Sequence, residues 1–231
     1  MPVTGNMESR KTILESLRNR LRTMTQDLAA APQPPIPKVW PVTLSPTDVT
    51  SINTLSAQFI ESLTAVAGEA VRVPDAAAAA TIIAKLMCET DAAGCTTVQK
   101  PLAYDVWNRL PNDRRIEWNP EWTPPEMAEV PMAIVEAEQL LADTGSSVVV
   151  SRDTAQRLAC YLPPTCVVVA SVDRLCENIS AAWEELMQRA AQPETRGEFV
   201  LITGPSRTAD IEQVLVLGVH GPRRLKVILI G

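Results

Sequence analysis

The sequence predicts an α/β fold built on a mainly parallel sheet covered on both faces. Two observations carry this. From Ser45 onward, helical and extended patterns alternate along the chain, and the extended runs at 147–151, 166–171 and 225–230 are largely apolar rather than apolar at every second position. Strands read this way when both of their sides are buried, as in parallel sheets flanked by helices.

Ahead of that domain, residues 1–30 predict an amphipathic helix. Ile13, Leu14, Leu17, Leu21, Met24 and Leu28 recur at helical spacing and are surrounded by Arg10, Lys11, Arg18, Arg20 and Arg22. Such a helix docks on its own domain, on a second copy of the chain in a homo-oligomer, or on a membrane surface; the row lacks the aromatic anchor of the last class. Residues 31–46 carry six prolines, a density that forbids helix and favours an extended linker. Trp40 within it either covers part of the core or serves peptide recognition.

The α/β domain occupies 47–231. Ser45-Pro46 and Thr47-Asp48 start a helix over 47–67, and a short strand follows at 70–73. Pro74-Asp75 opens an alanine-rich helix ending near residue 89. A strand is expected at 94–98, a helix at 101–110, and an irregular stretch with Trp118 and Trp122 at 111–130. Next come a helix over 132–141, a buried strand at 147–151, a helix at 154–161 and a strand at 166–171. A helix at 178–191, a strand at 198–203 and a final strand at 225–230 complete the domain.

Composition excludes several chemistries. The chain has 231 residues, 21 basic and 27 acidic, for a net charge of −6, which argues against bulk nucleic-acid binding. Its single histidine, His220, rules out zinc, copper or non-haem iron sites that draw two or three histidines from one chain. The cysteines at 88, 95, 160, 166 and 176 form no CxxC, so no cysteine-ligated cluster or zinc ribbon is expected. No metal or cofactor is therefore expected on this chain. There is no GxGxxG and no P-loop. With no signal-peptide core and no run of 18 apolar residues, the sequence predicts a cytoplasmic protein with reduced thiols and no membrane span.

Three segments carry candidate chemistry. In Thr203-Gly-Pro-Ser-Arg-Thr-Ala-Asp-Ile-Glu212, which directly follows an expected strand, Gly204 and Pro205 let the backbone approach a ligand closely. Ser206 and Thr208 offer hydroxyls, Arg207 can grip a carboxylate or phosphate with two parallel hydrogen bonds, and Asp210 and Glu212 add carboxylates. Alternatively, Ser206 or Thr208 simply caps a helix. The second segment is Gly218-Val-His-Gly221, with His220 held between Gly218 and Gly221 in a tight turn. Nearby Arg207, Arg223, Arg224 and Lys226 disfavour protonation of His220, which suits a hydrogen-bonding or general-base role. A single backbone hydrogen bond in a turn is the competing reading. The third is Asp143-Thr144-Gly145-Ser146, which either supplies a carboxylate and hydroxyls to the same cleft or is ordinary turn chemistry.

At these segments the chain resembles the LUD-domain family of the lactate-utilisation protein C type. The match rests on 203–212 and on Leu215-Val-Leu-Gly-Val-His-Gly-Pro222, with support from Asp143-Thr-Gly-Ser146 and Leu162-Pro-Pro164. The family places Glu where this chain has Asp143, one methylene shorter. The resemblance implies a three-layer α/β sandwich similar to the sugar-phosphate isomerase and coenzyme A transferase group (NagB/RpiA/CoA transferase-like). It also implies a part in oxidising L-lactate to pyruvate alongside iron–sulfur lactate-oxidation subunits that carry the clusters, with a small anionic ligand at the site.

Two other functions fit the same residues. One is a non-catalytic assembly or regulatory subunit. The other is an independent isomerase- or transferase-type enzyme acting on a phosphorylated or coenzyme A-linked small molecule, with Asp143 or Glu212 as base or nucleophile.

Overall fold

A computed structural model describes residues 15–16, 49–98, 100–192, 199–209, 215–217 and 221–231. The chain divides into two compact units, 1–40 and 41–231. In the first, only Glu15 and Ser16, both helical, are described, so the expected helix over 1–30 and linker over 31–46 otherwise lie outside the described residues.

In the second unit, helix α1 (Val49–Ala65) leads into strand β1 (Glu69–Val73) and helix α2 (Ala76–Glu89). The start of α2 is set by Asp75, whose carboxylate accepts from Ala78 N at 2.8 Å, an N-cap worth about 1 kcal/mol. Strand β2 (Thr96–Thr97), helix α3 (Pro101–Asn108) and helix α4 (Pro124–Glu129) follow. A reciprocal Thr123–Glu126 capping box fixes the start of α4. Then come β3 (Met132–Glu136), β4 (Gln139–Leu141), β5 (Ser146–Val150), helix α5 (Thr154–Leu158), β6 (Thr165–Ser171), β7 (Leu175–Cys176) and helix α6 (Ile179–Ala190). Asn178 caps α6 by accepting from Ala181 N at 3.1 Å. Strands β8 (Phe199–Ile202), β9 (Arg207–Ala209), β10 (Leu215–Leu217) and β11 (Arg224–Ile230) end the chain.

Five strands form a wholly parallel sheet in the order β1-β11-β6-β3-β2, in line with the expected α/β class. Its two faces are built by the period-two alternation of a strand. Cys166, Val168 and Ala170 of β6 pack with Phe59 and Leu63 of α1. Val167 and Val169 pack with Ile83 and Leu86 of α2 and with Val106 and Trp107 of α3.

A second, mixed sheet was not anticipated. It runs β7-β4-β5-β8, with β5 antiparallel to both neighbours. Its inner residues Leu140, Val149, Leu175 and Ile202 join the α1 side of the core, and its outer residues Leu141, Val148 and Cys176 pack with Ala182 and Leu186 of α6. The expected strands at 147–151 and 198–203 belong here rather than to the parallel sheet.

Two expectations are corrected. Residues 132–141, rich in good helix formers, are two strands, because Ala133 and Val135 are needed on one face of the parallel sheet and Met132 and Ile134 on the other. The segment after β8 opens no helix within its described part. It continues into β9, which pairs antiparallel with β10, Leu217 opposite Arg207 and Leu215 opposite Ala209. Among the described residues, no helix is long and apolar enough to cross a membrane.

Candidate functional site

Open parallel sheets place ligands beyond the carboxyl ends of their strands, commonly at a helix N-terminus. Here the carboxyl end of β3 is filled by the protein's own charges. Glu136, ending β3, accepts from Leu102 N at 2.8 Å and Ala103 N at 3.0 Å, so its carboxylate occupies the N-terminus of α3. Next to it, Glu138 bridges Lys100 at 2.6 Å and Arg189 at 2.6 Å. Lys100 and Glu138 are only 14% and 16% exposed, so each charge depends on the other for compensation.

The candidate segments meet elsewhere, at the end of the mixed sheet beside α1. Because Ser147 stands opposite Ile202, the turn before β5 and the loop after β8 lie side by side. Both lean on the C-terminal turns of α1. Gly145 has φ +66°, and a Cβ there would collide with the backbone amide of Leu63 and come within 2.6 Å of its Cα. Gly204 has φ +123°, and a Cβ would lie 3.1 Å from Val66 O. Glycine is required at 145 by both backbone conformation and close approach. Ser62 of α1 ties the turn down further, donating to Ala142 O at 2.9 Å.

Four side chains link the turn and the loop in series. Thr144 Oγ1 donates to Asp143 Oδ1 at 3.2 Å, Thr144 and Ser146 hydroxyls bond at 2.8 Å, and Ser146 and Thr203 hydroxyls at 2.7 Å. Asp143, Thr144 and Thr203 are exposed, while Ser146 is buried. The third segment joins through the backbone: Ser206 N donates to Pro222 O at 2.9 Å, and a Cβ on Gly221 would sit 3.0 Å from Ser206 Cβ. Arg223 N and Arg224 N both donate to Pro164 O, which fixes where this strap enters β11. Beyond it, Arg223 and Arg224 line an open cleft of about 460 Å³ with Asp91, Pro131, Pro164 and Thr165.

The structure thus brings together Asp143, Thr144, Gly145, Gly204, Pro205, Ser206 and Gly221. Arg207 and Thr208 are placed by their backbone, in β9. Asp210, Glu212, Gly218 and His220 lie outside the described residues. Ser146 and Thr203 join the site although the sequence motifs do not mark them as binding residues. Their hydroxyls flank the two required glycines, a signal that spacing along the chain does not expose.

Burial pushes the thiols of Cys95, Cys160 and Cys176 up to about 12, and that of Cys166 well above the ordinary thiol range, so none of them is a ready thiolate nucleophile. Among the described residues, no three His, Cys, Asp or Glu side chains gather as metal ligands.

Comparison with known proteins places the chain. The LUD domain model matches residues 56–230. Lactate utilization protein C of Halalkalibacterium halodurans is 30% identical over 141 residues, 61% of this chain and 58% of that protein. The protein of the same name from Geobacillus thermodenitrificans is 32% identical over 132 residues, 55% of this chain and 50% of that protein. The uncharacterized protein YkgG of Escherichia coli is 30% identical over 117 residues, 47% of this chain and 51% of its own length. The chain therefore spans about half the length of these curated relatives. A crystal structure of a DUF162 family protein from Deinococcus radiodurans shares the fold, with a TM-score of 0.53 at 17% identity, covering 80% of this chain and all of that one. With most of its length, including all the described parts of the candidate site, inside the matched region, the chain belongs to the LUD domain family.

Proposed function

We propose that this protein is a component of L-lactate utilisation, binding a small organic anion where the turn at 142–146, the loop at 203–206 and the strap at 221–222 meet. The observation that carries this reading is the meeting of those three segments, distant in sequence: the turn and the loop lie against one end of α1 and share the Ser146–Thr203 hydrogen bond, and the strap joins the loop at Ser206. The names of the relatives supply the pathway. In the proposed arrangement Arg207 and the backbone after Gly204 hold the carboxylate, and His220 bonds the ligand's second oxygen.

The oxidation of L-lactate to pyruvate is completed, in this reading, with iron–sulfur partner proteins in the cytoplasm, where buried and exposed thiols alike stay reduced. Electron transfer is assigned to those partners, and binding and presentation of the organic acid to this chain. Calorimetric titration with L-lactate of the wild type and of Arg207→Ala tests the assignment. The expected result is measurable binding that weakens at least about tenfold in the variant, the loss of a charge-assisted hydrogen-bond pair. Equal affinity in the two proteins overturns the role of Arg207. Co-purification with cluster-bearing proteins tests the partnership separately.

A further inference from the structure

The serial hydroxyls of the site have a direction. An ionised carboxylate only accepts hydrogen bonds, and a hydroxyl has a single proton to give. Thr144 gives its proton to Asp143, so in the 2.8 Å bond Ser146 is the donor and Thr144 the acceptor. Ser146 has then spent its proton, so in the 2.7 Å bond Thr203 is the donor. Every proton in the row points toward Asp143. The exposed end of the row, Thr203 Oγ1, has only lone pairs left to offer.

We infer that Thr203 accepts a hydrogen bond from the ligand, and that the ligand is a small carboxylic acid bearing a hydroxyl or ammonium donor on the carbon next to the carboxylate. This rests on the proposed organic-acid site and sharpens it. Thr203 is then the binding residue, while Ser146, Thr144 and Asp143 are positioning residues that keep its proton turned inward. The row distinguishes the two redox forms of one acid. A 2-hydroxy acid brings a donor to Thr203, whereas the 2-oxo acid brings a second acceptor, and two facing lone pairs repel. A site of this kind holds the reduced acid and releases the oxidised one.

The test is a panel of dissociation constants for L-lactate, propionate, pyruvate and L-alanine, measured on the full chain. The wild type is expected to bind L-lactate at least about tenfold more tightly than propionate or pyruvate, the usual consequence of leaving a site acceptor without its donor. L-alanine separates the two sources of the donor, since tight binding of alanine alone assigns the ammonium. Thr203→Val is expected to bring lactate down to the level of propionate, and Thr203→Ser, which restores a hydroxyl, to recover the preference. Asp143→Asn, whose amide can donate to Thr144 and so let the row reverse, is expected to narrow the lactate-to-pyruvate ratio. A wild type that binds neither L-lactate nor L-alanine more tightly than propionate overturns the inference while leaving an organic-anion site in place, as does a preference that persists in Thr203→Val. Failure of the wild type to bind any of the four acids removes both this inference and the proposed ligand.

Discussion

At the scale of single residues, the candidate site depends on Gly145. Its φ of +66° places it in the left-handed region, and the space a Cβ needs is already filled by the backbone of Leu63. A side-chain neighbour could rotate away, but a helix backbone cannot. Gly145→Ala is therefore expected to cost about 2 to 4 kcal/mol, combining left-handed strain with overpacking, seen as a lower urea midpoint. Gly204→Ala, whose neighbour is 3.1 Å away at Val66 O, should show a smaller loss. From the sequence, Asp143-Thr-Gly-Ser146 was legible as a turn and 203–206 as a loop with a special glycine. What could not be read was that both glycines press on the same helix, or that Ser146 meets Thr203. Those contacts join residues 57 positions apart, and neither partner has an unusual local pattern.

At the scale of elements, start signals were readable where a side chain caps its own helix, as Asp75 and Asn178 do. They were unreadable where the cap comes from a distant strand. Helix α3 has no side-chain cap of its own at Lys100, and Glu136, more than thirty residues later, supplies the anion. Glu136→Ala should leave two first-turn amides of α3 without acceptors, a loss of about 1 to 3 kcal/mol. Hydrogen exchange is expected to accelerate at Leu102 and Ala103 before the rest of the domain, and unchanged protection of those amides would contradict the role. The same strand explains the helix expected over 132–141. Its composition favours helix, but its alternating residues serve two cores at once, and tertiary packing overrides local preference.

Across the whole molecule, the parallel sheet was legible because its strands are apolar on both faces, whereas the mixed sheet was not. Its strands β4 and β7 are three and two residues long, too short to show a period. The outer edge of the parallel sheet is also held by charge. Glu69 of β1 meets Arg224 at 2.7 Å and Lys226 at 3.0 Å on β11. The hydrogen bond from Arg224 holds the Glu69 carboxyl below the usual carboxylate range, against the opposing effect of burial. A carboxyl lowered in the folded state stabilises it fully above the unfolded value near 4.5, and that stability is lost as pH falls through the lowered folded value. The urea midpoint is therefore expected to drop in this acid range, with a shallower drop in Glu69→Gln. Identical pH profiles for the two proteins would show that this triad carries no acid sensitivity.

The strand order has a consequence in time. The last strand of the chain, β11, is inserted between β1 and β6, and Glu69 waits for a partner 157 residues downstream. At synthesis rates of about 5 to 20 residues per second, β1 leaves the ribosome roughly 8 to 30 seconds before the strand that pairs with it. Once β6 has also emerged, the nascent protein carries two strand edges with a gap between them until β11 arrives. A released chain ending at residue 223 should be cut rapidly by protease and engaged by chaperones, whereas the released chain with residues 224–231, which supply β11, should be resistant.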